Sequence, residues 1–431
     1  MLTIVGIIAF VFAILFSIAW HELGHFLPAK KFGVKVTQFM IGFGPTLWSK
    51  KKGETEYGVK GIPFGGYVRM IGMFPPGEDG TVRASNTGRI AMLVEDARKE
   101  AAQEVLTPED EKHTFYNLPV RQKLVVMLGG PVMNLILATV LFAIVLVGFG
   151  TPSTNLTVKE VSPCVPTASN INGDCVAGAQ PSPAAAAGMQ VGDVVTTFDG
   201  QPVTSWEEFT GLIRNSAAGA ATIGVTRDGV SQTLTAPILV VDRPVIVDGQ
   251  VTNQTKPVGF LGMSPERILQ PQPITAVPGQ MWDLSVRTGQ ALISIPSKIV
   301  GVAKAAFGSD QRDPNGPIGV VGVTRISGEV AAADLPESWK VAQFLGLVAS
   351  LNLFLFLFNL IPLLPLDGGH VAGAMWEGIR RRIAKLRHRP DPGPVDVARA
   401  LPIAYAMAFI LIGMSALLLY ADVVNPVRIG S

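Results

Sequence analysis

The sequence predicts a polytopic α-helical membrane protein, with four transmembrane helices and two β-rich regions between them. Only 16% of the 431 residues are charged and the mean hydropathy is +0.37, whereas soluble globular proteins contain about 25% charged residues. The formal net charge of +2 provides no basic field, so no nucleic-acid partner is expected. Two cysteines are too few for a disulfide scaffold.

Four stretches without Lys, Arg, Asp or Glu are long enough to cross a bilayer, which takes about 20 apolar residues. These stretches are residues 1–20, 124–150, 341–366 and 400–421. A buried core helix would fit stretches of about 10–14 residues better. The first stretch lacks the basic start and the small-residue cleavage site of a secretory signal, so we expect it to be retained.

The basic residues of the connecting segments predict the orientation in the membrane. Residues 28–123 contain fifteen Lys and Arg and residues 377–399 contain seven, whereas the longer segment 151–340 contains twelve. We therefore expect the two dense segments in the cytoplasm, and both termini and residues 151–340 outside. Residues 281–307 are apolar but include charges and a proline, which favours an interfacial or packing helix over a fifth span.

The first cytoplasmic segment is predicted to have two parts. Residues 33–73 consist of short alternating runs interrupted by Gly and Pro, which is typical of β-hairpins. Residues 88–106 have helical spacing with acidic and basic faces, which predicts an amphipathic surface helix.

The outer segment resembles a PDZ domain over residues 156–262. Residues 182–195 follow that family's small-residue turn and its G-φ-x-x-G-D-φ-φ pattern, and a hairpin and a helix follow at residues 198–214. The resemblance implies that peptide termini bind by adding a strand to a sheet edge. Cys164 and Cys175 enclose a short loop here, where a disulfide can persist outside the cytoplasm; two unpaired thiols are the alternative.

A His-Glu-x-x-His pattern, His21 to His25, lies at the inner end of the first span. On a helix this spacing places two imidazoles one above the other, which suits two nitrogen ligands of one tetrahedral Zn²⁺. Glu22, between them, would then be the general base toward water. Ionisable groups at a span are costly and usually mark function, although helix-end capping is the alternative.

A catalytic zinc needs a third protein ligand, and Asp367 is the best candidate. Spans 1 and 3 run in the same direction and both motifs lie near the inner ends, so they reach one membrane depth. The prolines in residues 362–365 should break the third helix, and the glycines at 368–369 permit a close backbone approach. His370 is the rival ligand, and an interfacial helix-end carboxylate is the alternative role for Asp367.

Together these motifs resemble the site-2 protease family of intramembrane zinc metalloproteases, most closely its bacterial regulator-of-sigma-E type, here with a single PDZ domain. The similarity includes the Asn-x-x-Pro and Leu-Asp-Gly-Gly motifs of residues 359–369 and the Gly-Gly-Pro-Val-Met-Asn run of residues 129–134. It implies one Zn²⁺ per chain held by His21, His25 and Asp367, with Glu22 as the catalytic acid and base.

The same resemblance implies the substrates and their contacts. Expected substrates are single-span proteins of the bacterial plasma membrane, such as anti-sigma factors or signal-peptide remnants. The implied substrate-binding residues, in a β-loop and at the end of the third span, are Gly42, Phe43, Gly44, Gly65, Gly66, Tyr67, Asn359 and Pro362. The alternatives are a membrane-anchored PDZ scaffold without catalysis and, less well supported, a transporter.

These motifs predict the following organisation. Residues 1–28 form transmembrane helix 1, 29–123 the cytoplasmic-side β-loop and amphipathic helix, 124–150 transmembrane helix 2, 156–262 the PDZ domain, 263–339 a linker and packing helix, 340–376 transmembrane helix 3 with the Asn-x-x-Pro and Leu-Asp-Gly-Gly motifs, 377–399 a basic cytoplasmic loop, and 400–421 transmembrane helix 4.

Overall fold

The computed structural model describes residues 1–73, 75, 108–165, 175, 179–247, 250–308, 312–313 and 316–427. The chain divides into two compact units, here called the membrane unit (Met1–Phe149 with Pro273–Ser431) and the β unit (Gly150–Gln272). The amphipathic helix predicted over residues 88–106 lies outside the described residues.

The described helices and strands are numbered here in chain order. The helices are α1 (Leu2–Lys31), α2 (Pro108–Lys112), α3 (Val120–Ala143), α4 (Pro183–Ala186), α5 (Trp206–Asn215), α6 (Val277–Phe307), α7 (Val320–Ala332), α8 (Glu337–Asn359), α9 (Asp367–Leu386) and α10 (Leu401–Val424). The strands are β1 (Val36–Lys52), β2 (Thr55–Met70), β3 (Thr151–Val161), β4 (Val194–Phe198), β5 (Gln201–Pro202), β6 (Gly219–Arg227), β7 (Val230–Val247), β8 (Gln250–Phe260) and β9 (Met263–Gln270).

Four helices of the membrane unit are long and apolar enough to cross a bilayer: α1, α3 with its π-helical extension Ile144–Phe149, α8 and α10. Many of their large apolar side chains are exposed; Phe12 is 67% exposed and Phe409 is 79% exposed. Such exposure is costly in water but natural in lipid. The four helices agree with the four charge-free stretches, and the chain is a polytopic membrane protein.

The third predicted transmembrane segment, residues 340–376, is interrupted at the prolines that were expected to break it. Helix α8 ends at Asn359 and α9 begins at Asp367, because Pro362 has no N–H to donate and its ring obstructs the preceding turn. The chain then folds back on itself: a Cβ atom on Gly368 would lie 2.2 Å from the carbonyl oxygen of Ile361. Only glycine permits that approach.

The basic segment 377–399, predicted as a loop, is helical in its first part, because α9 continues to Leu386. Asp367 lies in the first turn of α9 and Lys385 in its last turn. Both charges complement the helix dipole and favour one uninterrupted helix.

The first sheet, formed by β1 and β2, belongs to the membrane unit. Both strands bend, so that residues 36–41 pair with residues 66–70 on one side and with residues 56–59 on the other. The bends occur at glycines with positive φ, including Gly42 (φ +93) and Gly65 (φ +103), a conformation that only glycine adopts without strain. Within the described residues, the segment 66–70 is therefore an edge of this sheet.

Helix α6 covers residues 281–307, for which an interfacial or packing helix was predicted. Val277 and Met281 contact the apolar side of α3 and α8 near Phe142, and Val302 and Ala306 contact α10. Trp282 is 71% exposed. The helix therefore packs along the transmembrane helices, and it does not qualify as a span by hydropathy.

The β unit is a sheet of seven strands in the order β8-β7-β6-β4-β3-β9, with β5 paired to β4. Its core contains Phe198, Phe209 and Ile223. Helix α5 is capped because the Ser205 hydroxyl accepts a hydrogen bond from the Glu208 N–H at 3.2 Å. Cys164 and Cys175 are joined by a disulfide with a Cα–Cα distance of 5.9 Å. The region predicted as a PDZ domain, residues 156–262, lies inside this unit.

Candidate metal centre

Glycines bring α1 and α3 into backbone contact beside the His-Glu-x-x-His motif. A Cβ atom on Gly24 would lie 2.2 Å from the carbonyl oxygen of Gly129, and a Cβ atom on Gly129 would lie 1.9 Å from the carbonyl oxygen of Gly24. A Cβ atom on Gly130 would lie 2.2 Å from Nε2 of His25. Gly130 therefore keeps open the space in front of the imidazoles.

Three side chains far apart in sequence converge on this space: His21 and His25 from α1 and Asp367 from the start of α9. Oδ2 of Asp367 lies 3.1 Å from Nε2 of His21 and 3.4 Å from Nε2 of His25. The two Nε2 atoms are 3.2 Å apart. We call these three residues the ligand cluster; within the described residues they form the one group suited to hold a metal ion.

The spacing of the ligand cluster fits a tetrahedral zinc site. Zn–N bonds of about 2.0–2.1 Å in a tetrahedron place neighbouring ligand atoms about 3.3 Å apart. The three observed separations lie between 3.1 and 3.4 Å. Two imidazoles and one carboxylate also leave the fourth position open, as in catalytic zinc sites.

The outer nitrogens of both imidazoles have partners that orient the rings. Nδ1 of His25 lies 2.8 Å from the carbonyl oxygen of Val126, to which it can only donate; in the neutral ring the lone pair is then on Nε2. Nδ1 of His21 lies 3.0 Å from the side-chain amide of Asn134. Within the described residues, Oδ1 of Asn134 is buried without a hydrogen-bond partner. Rotating this amide by half a turn lets Oδ1 accept the His21 Nδ1 proton.

Glu22 lies beside the ligand cluster and against the first sheet. It is only 8% exposed, and a Cβ atom on Gly66 would lie 2.9 Å from its Cγ. Gly66 is the first residue of the edge segment 66–70, which is paired on one side with residues 36–41. A buried carboxylate therefore lies next to an open strand edge.

The other predicted substrate residues divide into two groups. Near the bends of the sheet, the Phe43 and Tyr67 rings stack with centroids 6.1 Å apart, and the Gly65 backbone leaves room for the Phe43 ring. Gly42 and Gly44 have positive φ and shape the bend. At the end of the third span, Asn359 is the last residue of α8 and Pro362 lies in the turn that follows.

His370, the rival ligand, is one turn beyond Asp367 on α9 and lines a small cavity with Lys123 and Glu377. The ligand cluster does not include it. The contact of Asn134 with His21 was not predicted from the sequence. The signal was available, because a polar amide in the charge-free stretch 124–150 needs a partner.

The chain is similar to known proteins along its whole length. The model of peptidase family M50 matches residues 9–390. The chain is 35% identical over 442 aligned positions to zinc metalloprotease Rip1 of Mycobacterium tuberculosis, with 100% of each protein covered. It is 33% identical to zinc metalloprotease Rip1 of Mycolicibacterium smegmatis, covering 99% of this chain and 98% of that protein. It is 30% identical to metalloprotease MmpA of Caulobacter vibrioides, covering 88% of each.

Proposed function

The chain belongs to peptidase family M50 and is a zinc metalloprotease of the membrane, and we propose that it hydrolyses peptide bonds of single-span membrane proteins within or beside the bilayer. One observation supports this most: three ligand atoms from α1 and α9 converge at tetrahedral spacing beside the buried Glu22. Both helices belong to the membrane unit, and α1 is itself a candidate span.

His21, His25 and Asp367 would hold one Zn²⁺ per chain. Zinc, when bound, supplies Lewis-acid polarisation of a carbonyl and acidifies water. The protein prepares the site for it: the Val126 carbonyl and Asn134 fix both rings with their Nε2 atoms toward Asp367. Gly130 keeps the space between them open.

Glu22 is the general base and general acid of this proposal. Its carboxylate takes a proton from the attacking water and later delivers it to the amine of the leaving peptide, so that the C–N bond breaks without forming an amide anion. The side chain is buried beside the ligand cluster, where little bulk water competes for the proton.

The edge segment 66–70 would hold the substrate extended. A helical substrate hides its amides in its own hydrogen bonds, so it must unwind before attack. An extended peptide can pair with the open side of this segment by β-augmentation. Gly66 would then bring the substrate backbone next to Glu22, while the Phe43 and Tyr67 rings and the Asn359–Pro362 turn contact substrate nearby.

Substrates of this chemistry include anti-sigma factors and signal-peptide remnants of the bacterial plasma membrane. We propose that the β unit is a PDZ domain that binds peptide termini, and that it lies outside together with both chain termini, as the distribution of Lys and Arg favours. A PDZ scaffold without catalysis explains the β unit but leaves the ligand cluster without a role.

The test is Glu22→Gln in the full chain, co-expressed with a tagged single-span substrate. We expect cleavage to fall by at least about 10²-fold, because the proton acceptor is removed, while zinc content stays near one per chain. Glu337→Gln is the matched control, since the Glu337 carboxylate is 84% exposed. This variant should cleave the substrate at the parent rate. Undiminished cleavage by Glu22→Gln would disprove the mechanism. A parent protein without zinc would disprove the metal site.

A further inference from the structure

A buried ion pair joins α3 to α9, the helix that begins with Asp367. Nζ of Lys123 donates to both carboxylate oxygens of Glu377, at 3.0 and 2.8 Å. The two side chains are 5% and 3% exposed. The partners are 254 residues apart in sequence.

The Glu377 carboxylate has two further partners, one on α9 and one after it in the chain. Nη2 of Arg381, one turn later on α9, lies 3.0 Å from its Oε1. The N–H of Val395 donates to its Oε2 at 3.2 Å. One carboxylate thus fixes α3, α9 and the segment that leads toward α10, and all of its partners are positively polarised.

Lys123 lies on the face of α3 that contacts His21 and His25. Val126, Gly130 and Asn134 follow Lys123 at helical spacing on that face. Val126 accepts from His25, Gly130 faces its Nε2, and Asn134 contacts His21. The helix that orients both histidines is therefore the helix that donates to Glu377.

Glu377 lies on the face of α9 that begins near Asp367. His370 and Ala374 of this face line a cavity together with Lys123 and Glu377, so α9 faces α3 along this length. Glu377 is ten residues after Asp367, about 15 Å along a helix of 1.5 Å per residue. The ion pair and the ligand cluster are therefore two attachment points of one helix.

We propose that Lys123 and Glu377 are positioning residues that set the axial register of α9 against α3, so that Asp367 meets His21 and His25. Stability alone does not explain the pair, since replacing a buried ion pair by apolar residues is often neutral or stabilising. An apolar contact permits sliding, whereas a directional ion pair does not. A slip by one helical turn, about 5.4 Å, would remove Asp367 from ligand range. This inference rests on the proposed zinc site.

The test is zinc affinity of the full chain in detergent, measured by competition with a chromophoric chelator. In Lys123→Met/Glu377→Gln we expect zinc binding about 10- to 100-fold weaker, as when groups that orient ligands are lost. Lys123→Arg keeps the ion pair and should bind zinc like the parent. The visible spectrum of the Co²⁺-loaded protein should lose its tetrahedral signature in the double variant only.

A second buried ion pair provides the matched control. Nη1 of Arg312 lies 2.8 Å from Oδ1 of Asp422, and these side chains are 2% and 1% exposed. Asp422 lies near the end of α10, away from the ligand cluster in the sequence. Arg312→Met/Asp422→Asn removes a buried ion pair of the same kind and should leave zinc affinity unchanged.

Several outcomes would overturn the positioning role. Parent-like zinc affinity in folded Lys123→Met/Glu377→Gln would do so, and so would an equal loss of affinity in the Arg312 and Asp422 control. Should the double variant not fold, Glu377→Asp decides: it keeps both charges but shortens the link, and we expect weaker zinc binding. A parent that fails to bind zinc, or His21→Ala that still binds it, would refute the zinc site itself.

Discussion

Asp193 of the β unit directly precedes strand β4, and Asp367 of the membrane unit is the first residue of helix α9. Hydrogen-bond donors surround the first carboxylate, whereas imidazole nitrogens that can act as acceptors surround the second. Asp193 accepts hydrogen bonds from Nε and Nη2 of Arg227 at 2.7 and 2.8 Å and from the N–H of Gln190 at 2.9 Å. Every nearby partner is a donor. Asp367 instead faces the Nε2 atoms of His21 and His25; the Val126 carbonyl and a rotated Asn134 amide assign the proton of each neutral ring to Nδ1.

The difference separates a satisfied structural carboxylate from a candidate metal ligand. The donors around Asp193 satisfy its lone pairs and its charge, so the group needs nothing more. The ligand cluster brings three acceptor atoms within 4.8 Å of one another, an arrangement that is repulsive until a cation occupies it. A cluster of acceptor atoms without donors, and not burial alone, therefore indicates the candidate metal site.

The largest effect should come from Asp367→Ala. If Asp367 is a zinc ligand, zinc content should fall well below one per chain and cleavage should reach background, because two imidazoles alone hold the metal weakly. If Asp367 were a satisfied structural group like Asp193, zinc and activity would persist. Zinc measured by mass spectrometry of the purified chain, together with cleavage of the co-expressed substrate, distinguishes the two. Asp283→Ala, at an exposed position on α6, is the control.

A smaller loss is expected from Gly130→Ala. The added Cβ atom would lie 2.2 Å from Nε2 of His25, so the imidazole or α3 must move, and we expect zinc affinity to fall by at least about 10-fold. Gly148→Ala adds the same methyl group where nothing lies within 4 Å. Chelator competition should show weaker zinc binding by Gly130→Ala than by Gly148→Ala. Equal affinities would mean that zinc binding does not need the space that Gly130 leaves beside the imidazoles.

The sequence was sufficient for the features that depend on local composition. Charge-free stretches identify spans without tertiary information, and the His21 to His25 spacing places two imidazoles on one helix face. Asp367 was predictable because alternate spans have the same direction, which requires only a count of spans. The prediction of these three candidate ligands therefore rested on topology and side-chain chemistry.

Features that depend on packing between distant segments were not predictable. The partner of Asn134 exists only because Gly24 and Gly129 let α1 and α3 touch. The pairing of Lys123 with Glu377 joins residues 254 positions apart. The continuation of α9 into the basic segment was overlooked because charge density indicates orientation in the membrane, not backbone conformation.

The smallest effect on catalysis should come from Asp193→Asn, which acts on the β unit alone. The Arg227 guanidinium, through its hydrogen bonds, holds the pKa of Asp193 below its usual value. The ion pair therefore stabilises the folded β unit fully above the unfolded pKa of about 3.9, and the contribution is lost as the pH falls through the folded pKa. At pH 7 the substitution should cost about 1–3 kcal/mol, as for hydrogen bonds to charged groups.

Pulse proteolysis of the full chain in urea, scored by cleavage within the β unit, measures this cost. The difference between parent and Asp193→Asn should be largest at pH 7 and should shrink as the pH falls below about 3.9, because protonation of Asp193 then favours the unfolded chain. Asp228→Asn changes an exposed carboxylate next to Arg227 and should have little effect. Zinc content should be the same in all three proteins. A loss of zinc in Asp193→Asn would contradict the conclusion that Asp193, unlike Asp367, has a purely structural role. A cost that does not vary with pH would show that Asp193 acts through shape and not through its charge.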